Sequence, residues 1–111
     1  MLAVVRDLFF VAKIRETARL GGVDVRFVKT PEEVRAEAPA GARFALLDLT
    51  AGLDHGAVLD ALAAHGIPVL GFTTHVLARQ TQPWHARCGR VVTKEILSAE
   101  LPTLLRDGVA A

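Results

Sequence analysis

Five short apolar runs alternate along this chain with longer stretches of helical spacing, and no other feature constrains the fold as tightly. Leu2 to Val5 is continuously apolar, as a strand is when both of its faces are buried. From Leu8 to Leu20 the spacing turns helical, with Phe10, Ile14 and Ala18 on one face. Gly21-Gly22 ends that helix, because glycine takes the left-handed conformation of a C-cap. Val23 to Val28 alternates with period two and reads as an edge strand with one wetter face. Thr30-Pro31-Glu32-Glu33 starts a helix: Thr30 caps, Pro31 suits the first turn and Glu33 completes a capping box. Pro39-Ala40-Gly41 breaks it. Phe44 to Leu49 is nearly all apolar, the pattern of a central strand, with Asp48 near its C-terminal end.

After Thr50-Ala51-Gly52 a helix is expected from about Asp54 to His65, closed by Gly66. Ile67 to Phe72 reads as a fourth strand, with Pro68 tolerable at its start. Val76 to Arg87 is helical in character, and Pro83 is expected to kink or restart it. Val91-Val92 is a brief fifth strand. Ser98 is expected to cap a last helix carrying Leu101, Leu104 and Leu105, with Pro102 in its first turn. Five βα units predict an α/β, doubly wound (βα)5 sandwich, its parallel sheet in the order 2-1-3-4-5 with helices on both faces. Residues 1–111 read as one domain.

Composition narrows the function. A net charge of +1 provides no basic stripe for nucleic acid. No apolar run approaches the roughly 20 residues a spanning helix needs. The single cysteine, Cys88, allows no intrachain disulfide, so a reducing cytoplasmic setting is expected. No glycine-rich phosphate loop follows the first strand, and there is no nucleophile elbow. The four histidines at 55, 65, 75 and 85 match neither a helix nor a strand period, and the spacing is read as coincidence.

In open parallel sheets the ligand site lies beyond the C-terminal strand ends. Polar residues gather there: Arg6-Asp7 after the first strand, Asp48 in the third, Thr73-Thr74-His75 after the fourth and Thr93-Lys94 after the fifth. Any one of them is an ordinary strand terminus; together they make a coherent phosphoryl-acceptor set. A carboxylate can take a phosphoryl group, and a second helps to hold Mg²⁺. An ammonium and a hydroxyl then meet the phosphoryl oxygens.

The sequence resembles bacterial response-regulator receiver domains of the CheY-like kind, from AVVRD through FALLDL and VLGFTT to VVTKEILSAEL. DLFFVAKI, GFTTHV and LPTLL further resemble small stand-alone receiver-like proteins. The resemblance implies that Asp48 is the phosphoacceptor, Thr73 the switch threonine, Lys94 the lysine of the fifth strand, and Asp7 with Asp48 the Mg²⁺ ligands. It also shows departures. Arg6 stands where a second carboxylate is usual, Glu95 where proline usually follows the lysine, and Thr74 where a small residue keeps the pocket mouth wide. With Asp7 and Asp48 against Arg6 and Lys94, the pocket is formally neutral, where a usual receiver carries two negative charges. Mg²⁺ is therefore expected to be held weakly, with no other cofactor. Arg6 reads equally as reaching Asp48 and partly replacing the metal, or as pointing to solvent beside a decayed pocket.

The expected activity is accordingly binding rather than turnover: an atypical receiver-like signalling domain, not an enzyme, whose partner is another protein or a second copy. Two alternatives stay open. One is a phosphorylation-competent response regulator charged at Asp48 by a histidine kinase; the other is a small flavodoxin-like enzyme or ligand-binding domain using the same crevice. Trp84 reads equally as an interface residue or as a lid on the core. His75 can titrate near neutrality at the pocket mouth but reads better as a loop histidine. His85 and Cys88 are too few for a metal site, and Cys88 reads as a small packed residue rather than a nucleophile.

Overall fold

A computed structural model describes residues 1–110. Five parallel strands, β1 (Leu2–Val4), β2 (Arg26–Val28), β3 (Ala45–Asp48), β4 (Val69–Thr73) and β5 (Arg90–Thr93), form one sheet in the order β2-β1-β3-β4-β5. The helices are α1 (Leu8–Gly21), α2 (Pro31–Glu37), α3 (His55–Ala64), α4 (Ala78–His85), α5 (Lys94–Ala99) and α6 (Leu101–Asp107), with a 3-10 turn at Ala38–Ala40. The expected topology is the one observed. No described helix is long and apolar enough to cross a membrane.

Strand alternation sorts the core into two layers. Ala3, Leu46, Leu70 and Phe72 pack against α1, α5 and α6, through Phe10, Ile14, Leu97, Leu101 and Leu104 among others. Leu2, Val4, Leu47 and Val69 face the other way, onto Val34 of α2 and Val58, Leu59 and Leu62 of α3. Central strands buried on both sides explain why FALLDL shows no polar alternation. β2 lies at the sheet edge, as its period-two pattern requires, and only Val28 in it is fully buried.

Local chemistry sets the boundaries. β2 begins later than the apolar pattern suggested, because residues just before it belong to the α1 cap. Gly22 is left-handed at φ 68°, and the Val23 amide still donates to the Ala18 carbonyl. The α4 helix begins only at Ala78, since a turn from Thr74 occupies the preceding residues, and it passes through Pro83 to end at His85. Pro83 thus does not divide that helix. The expected single terminal helix is two. Thr93, not Ser98, supplies the cap, its hydroxyl accepting from the Ile96 amide at 3.2 Å, and Ser98 lies inside α5. Pro102 then opens α6 as the first-turn residue it was expected to be.

Candidate functional site

Strand ends place the polar set at one rim of the sheet. Asp7 follows β1 and caps α1, its Oδ1 accepting from the Phe10 amide at 3.1 Å. Lys94 reaches the same carboxylate, Nζ to Oδ2 3.4 Å, and lies over the Phe10 ring at 5.4 Å from its centroid. The Phe10 amide, and then the Lys94 ammonium, hold the Asp7 carboxyl below its usual range. Lys94 is not the last residue of the fifth strand. The β4–β5 register pairs Thr73 with Thr93, so the ammonium comes from the first residue of α5.

Asp48 is the last residue of β3 and only 7% exposed. Its Oδ1 accepts from the Thr50 amide at 2.8 Å and the Thr50 hydroxyl at 2.6 Å. This is an Asx turn, a local closure that aspartate makes readily two residues upstream of an amide. The second oxygen makes no internal hydrogen bond. No buried side-chain oxygen or nitrogen lacks a partner among the described residues, so that oxygen is open to solvent. The Asp48 carbonyl meets Nε2 of the buried His55 at 3.0 Å, and the His55 ring packs on Trp84 with centroids 5.8 Å apart. A carboxylate with one oxygen clamped and one exposed has a fixed direction of approach for a reacting group.

Arg6 does not reach Asp48. Its guanidinium donates to the Gly52 carbonyl at 3.2 Å, bridging the loops after β1 and β3, and no described ion pair joins it to a carboxylate. The physical reason is position: Asp48 is turned inward and already clamped by Thr50, whereas Arg6 lies on the exposed surface. Of the two readings of Arg6, guanidinium in place of metal therefore fails on geometry, and the solvent-facing one describes the residue. The carboxylates at the rim are Asp7 and Asp48, and Mg²⁺ accepts one or two carboxylates and completes its shell with water and phosphate oxygens. No cluster of three His, Cys, Asp or Glu side chains suited to a metal occurs among the described residues.

The remaining candidates separate. Thr73 is buried, and its hydroxyl lies 2.9 Å from that of Thr81 on α4, which in turn lies 2.8 Å from His85 Nε2. The Thr74 hydroxyl accepts from the Leu77 amide, and with His75, Lys94, Glu95 and Ser98 this threonine lines a cavity of about 450 Å³. His75 itself is exposed. Trp84 is half-buried against the α2–α3 layer. Cys88 donates to the Trp84 carbonyl, and burial raises its thiol above the ordinary range, which suppresses the thiolate a nucleophile needs. His85 and Cys88 thus face different partners. Thr50, His55, Thr81 and His85 were not singled out from the sequence as members of the site. The first is signalled by Asp-x-Thr at a strand end. The last two stand at i and i+4 on a helix, a spacing that places side chains together.

No family model matches the sequence, and no curated protein does. Among solved structures, the chain is similar to one described as a two-component system response regulator/GGDEF domain protein. The two superpose with a TM-score of 0.68 at 21% identity, over 96% of this chain and 46% of the other. The fold is that of a receiver. The chain spans about half the length of that neighbour. Asp48, Thr73 and the β5–α5 junction lie at the C-terminal ends of the strands, the end at which open α/β sheets bind ligands.

Proposed function

We propose that the protein is a receiver-type signalling domain in which the state of Asp48 governs contact with a partner protein. The observation that carries this reading is the assembly at one rim of a directed, half-clamped carboxylate on β3, a hydroxyl at the end of β4, and an Asp7–Lys94 pair joining β1 to α5. To form the phosphorylated state, the open oxygen of the Asp48 carboxylate bonds to phosphorus as the P–N bond of a donor phosphohistidine breaks, and the departing imidazole takes a proton from water. Lys94 offers positive charge to the phosphoryl oxygens; Asp48 and Asp7 are the residues that would hold Mg²⁺, which would supply further neutralisation. The domain would then be a switch read by binding, not a catalyst of turnover. It works in the cytoplasm, and its partner is another protein or a second copy.

A second reading is favoured by Arg6, a cation standing where the resemblance puts a metal-binding carboxylate: a receiver fold that binds its partner independently of phosphate. Amide NMR with Mg²⁺ and fluoroberyllate, against an Asp48→Ala control, separates the two. Shifts at Asp48, Thr73 and Lys94 that vanish in the control are the result expected of a phosphoacceptor. Their absence at millimolar fluoroberyllate leaves the phosphate-independent module.

A further inference from the structure

Thr73 and Thr81 are each 4% exposed, and their hydroxyl oxygens meet between β4 and α4. The Thr81 oxygen has three neighbours: Thr73 Oγ1 at 2.9 Å, His85 Nε2 at 2.8 Å and the Ala78 carbonyl at 3.2 Å. A hydroxyl has one hydrogen to donate. If Thr81 gives it to Ala78 or to His85, the contact with Thr73 is a hydrogen bond only when Thr73 is the donor. The single Thr73 hydrogen is then directed at α4 and unavailable to a ligand on Asp48. Thr73 is released only if Thr81 turns its hydrogen toward it, which requires an N–H at His85 Nε2 and abandons the Ala78 carbonyl.

We propose that Thr81, oriented by His85, is a positioning residue that latches Thr73 in a resting state, so that a phosphoryl group on Asp48 must compete with α4 for the Thr73 hydroxyl. The latch rests on the receiver reading above and adds regulation to its site. Its output is α4 itself. That helix touches the Asp48 neighbourhood twice, through Thr81 to Thr73 and through Trp84 to His55, whose Nε2 meets the Asp48 carbonyl. Losing the first contact while keeping the second frees one side of a short helix that starts without a side-chain cap. Such a helix is easily re-seated.

The test compares wild type with Thr81→Val, which deletes the hydroxyl, and Thr81→Ser, which keeps it. Thr81→Ala provides a second deletion that does not depend on how valine packs. Fluoroberyllate is titrated into each at saturating Mg²⁺ and followed by amide shifts, and Thr73 χ1 is measured without it from methyl couplings. Both deletions are expected to lower the fluoroberyllate midpoint about fivefold, roughly what one net hydrogen bond contributes. They are also expected to redistribute Thr73 χ1, whereas Thr81→Ser stays within about twofold of wild type. A deletion midpoint equal to or above wild type, or a serine variant that behaves like the deletions, overturns the latch alone. Silence of every protein at millimolar fluoroberyllate overturns the receiver reading and the latch's regulatory role together.

Discussion

Asp7 carries two duties that ordinary chemistry can separate. As a cap it accepts from the Phe10 amide; as a charge it pairs with Lys94. Asparagine caps about as well as aspartate, so Asp7→Asn removes the charge and keeps the cap. Because the folded carboxyl is held below its usual range, its contribution to stability is present above the unfolded value and lost as pH falls through the folded one. In urea unfolding at low salt, wild type is therefore expected to be more stable than Asp7→Asn near neutrality, with the gap closing on acidification through the carboxylate range. A gap that persists unchanged in acid would show that the pair with Lys94 is not its source. Thr50 offers a second case. Thr50→Val removes the shorter of the two bonds to Asp48 Oδ1 and leaves the amide bond. The expected cost is about 1 kcal/mol, with looser aim of the carboxylate, seen as a weaker fluoroberyllate response.

Between elements, one tight junction is where β4 meets the segment after α4. A Cβ built on Gly71 would lie 2.9 Å from Cys88 Sγ and 3.1 Å from Leu49 Cδ1. The sheet accepts a half-buried sulfur there only because residue 71 has no side chain. Gly71→Ala is expected to destabilise by about 1–3 kcal/mol through overpacking, and Cys88→Ala in the same chain to restore part of that loss. A double-mutant cycle by urea denaturation checks this, since two changes that simply add would mean no such contact limits the packing. The elements also show which signals are legible in sequence. The caps at Thr30 and Asp54 and the βα alternation are local, and sequence reading found the elements they define. Thr93 was missed as the cap of α5 because it reads equally well as the end of a strand, and the one-residue offset moved Lys94 from strand to helix.

At the scale of the molecule, strand order converts five local patterns into one rim, since the order β2-β1-β3-β4-β5 brings the ends of β1, β3 and β4 side by side. Topology of this kind is legible because right-handed crossovers leave few arrangements for five βα units. Side-chain pairing across the rim is not. Whether Arg6 turns to Asp48 or to Gly52, and whether Thr73 faces the pocket or Thr81, depends on orientations that no periodicity records. The same sheet separates two apolar layers, and its central strand supplies both, Leu46 to one and Leu47 to the other. If the layers fold as one unit, damage to either must be felt in both. Leu46→Ala lies on the layer opposite the single tryptophan, Trp84, and should cost about 2–5 kcal/mol, a large share of a small domain's total of about 5–15 kcal/mol. Urea unfolding followed by Trp84 fluorescence should therefore shift as far as the far-ultraviolet circular dichroism does, and the two curves should coincide before and after the substitution. A fluorescence transition that stays at its wild-type midpoint while the dichroism moves would mean that the α3–α4 face holds together without the α1–α6 face. The path from Asp48 to α4 would then lie in a unit that can open by itself.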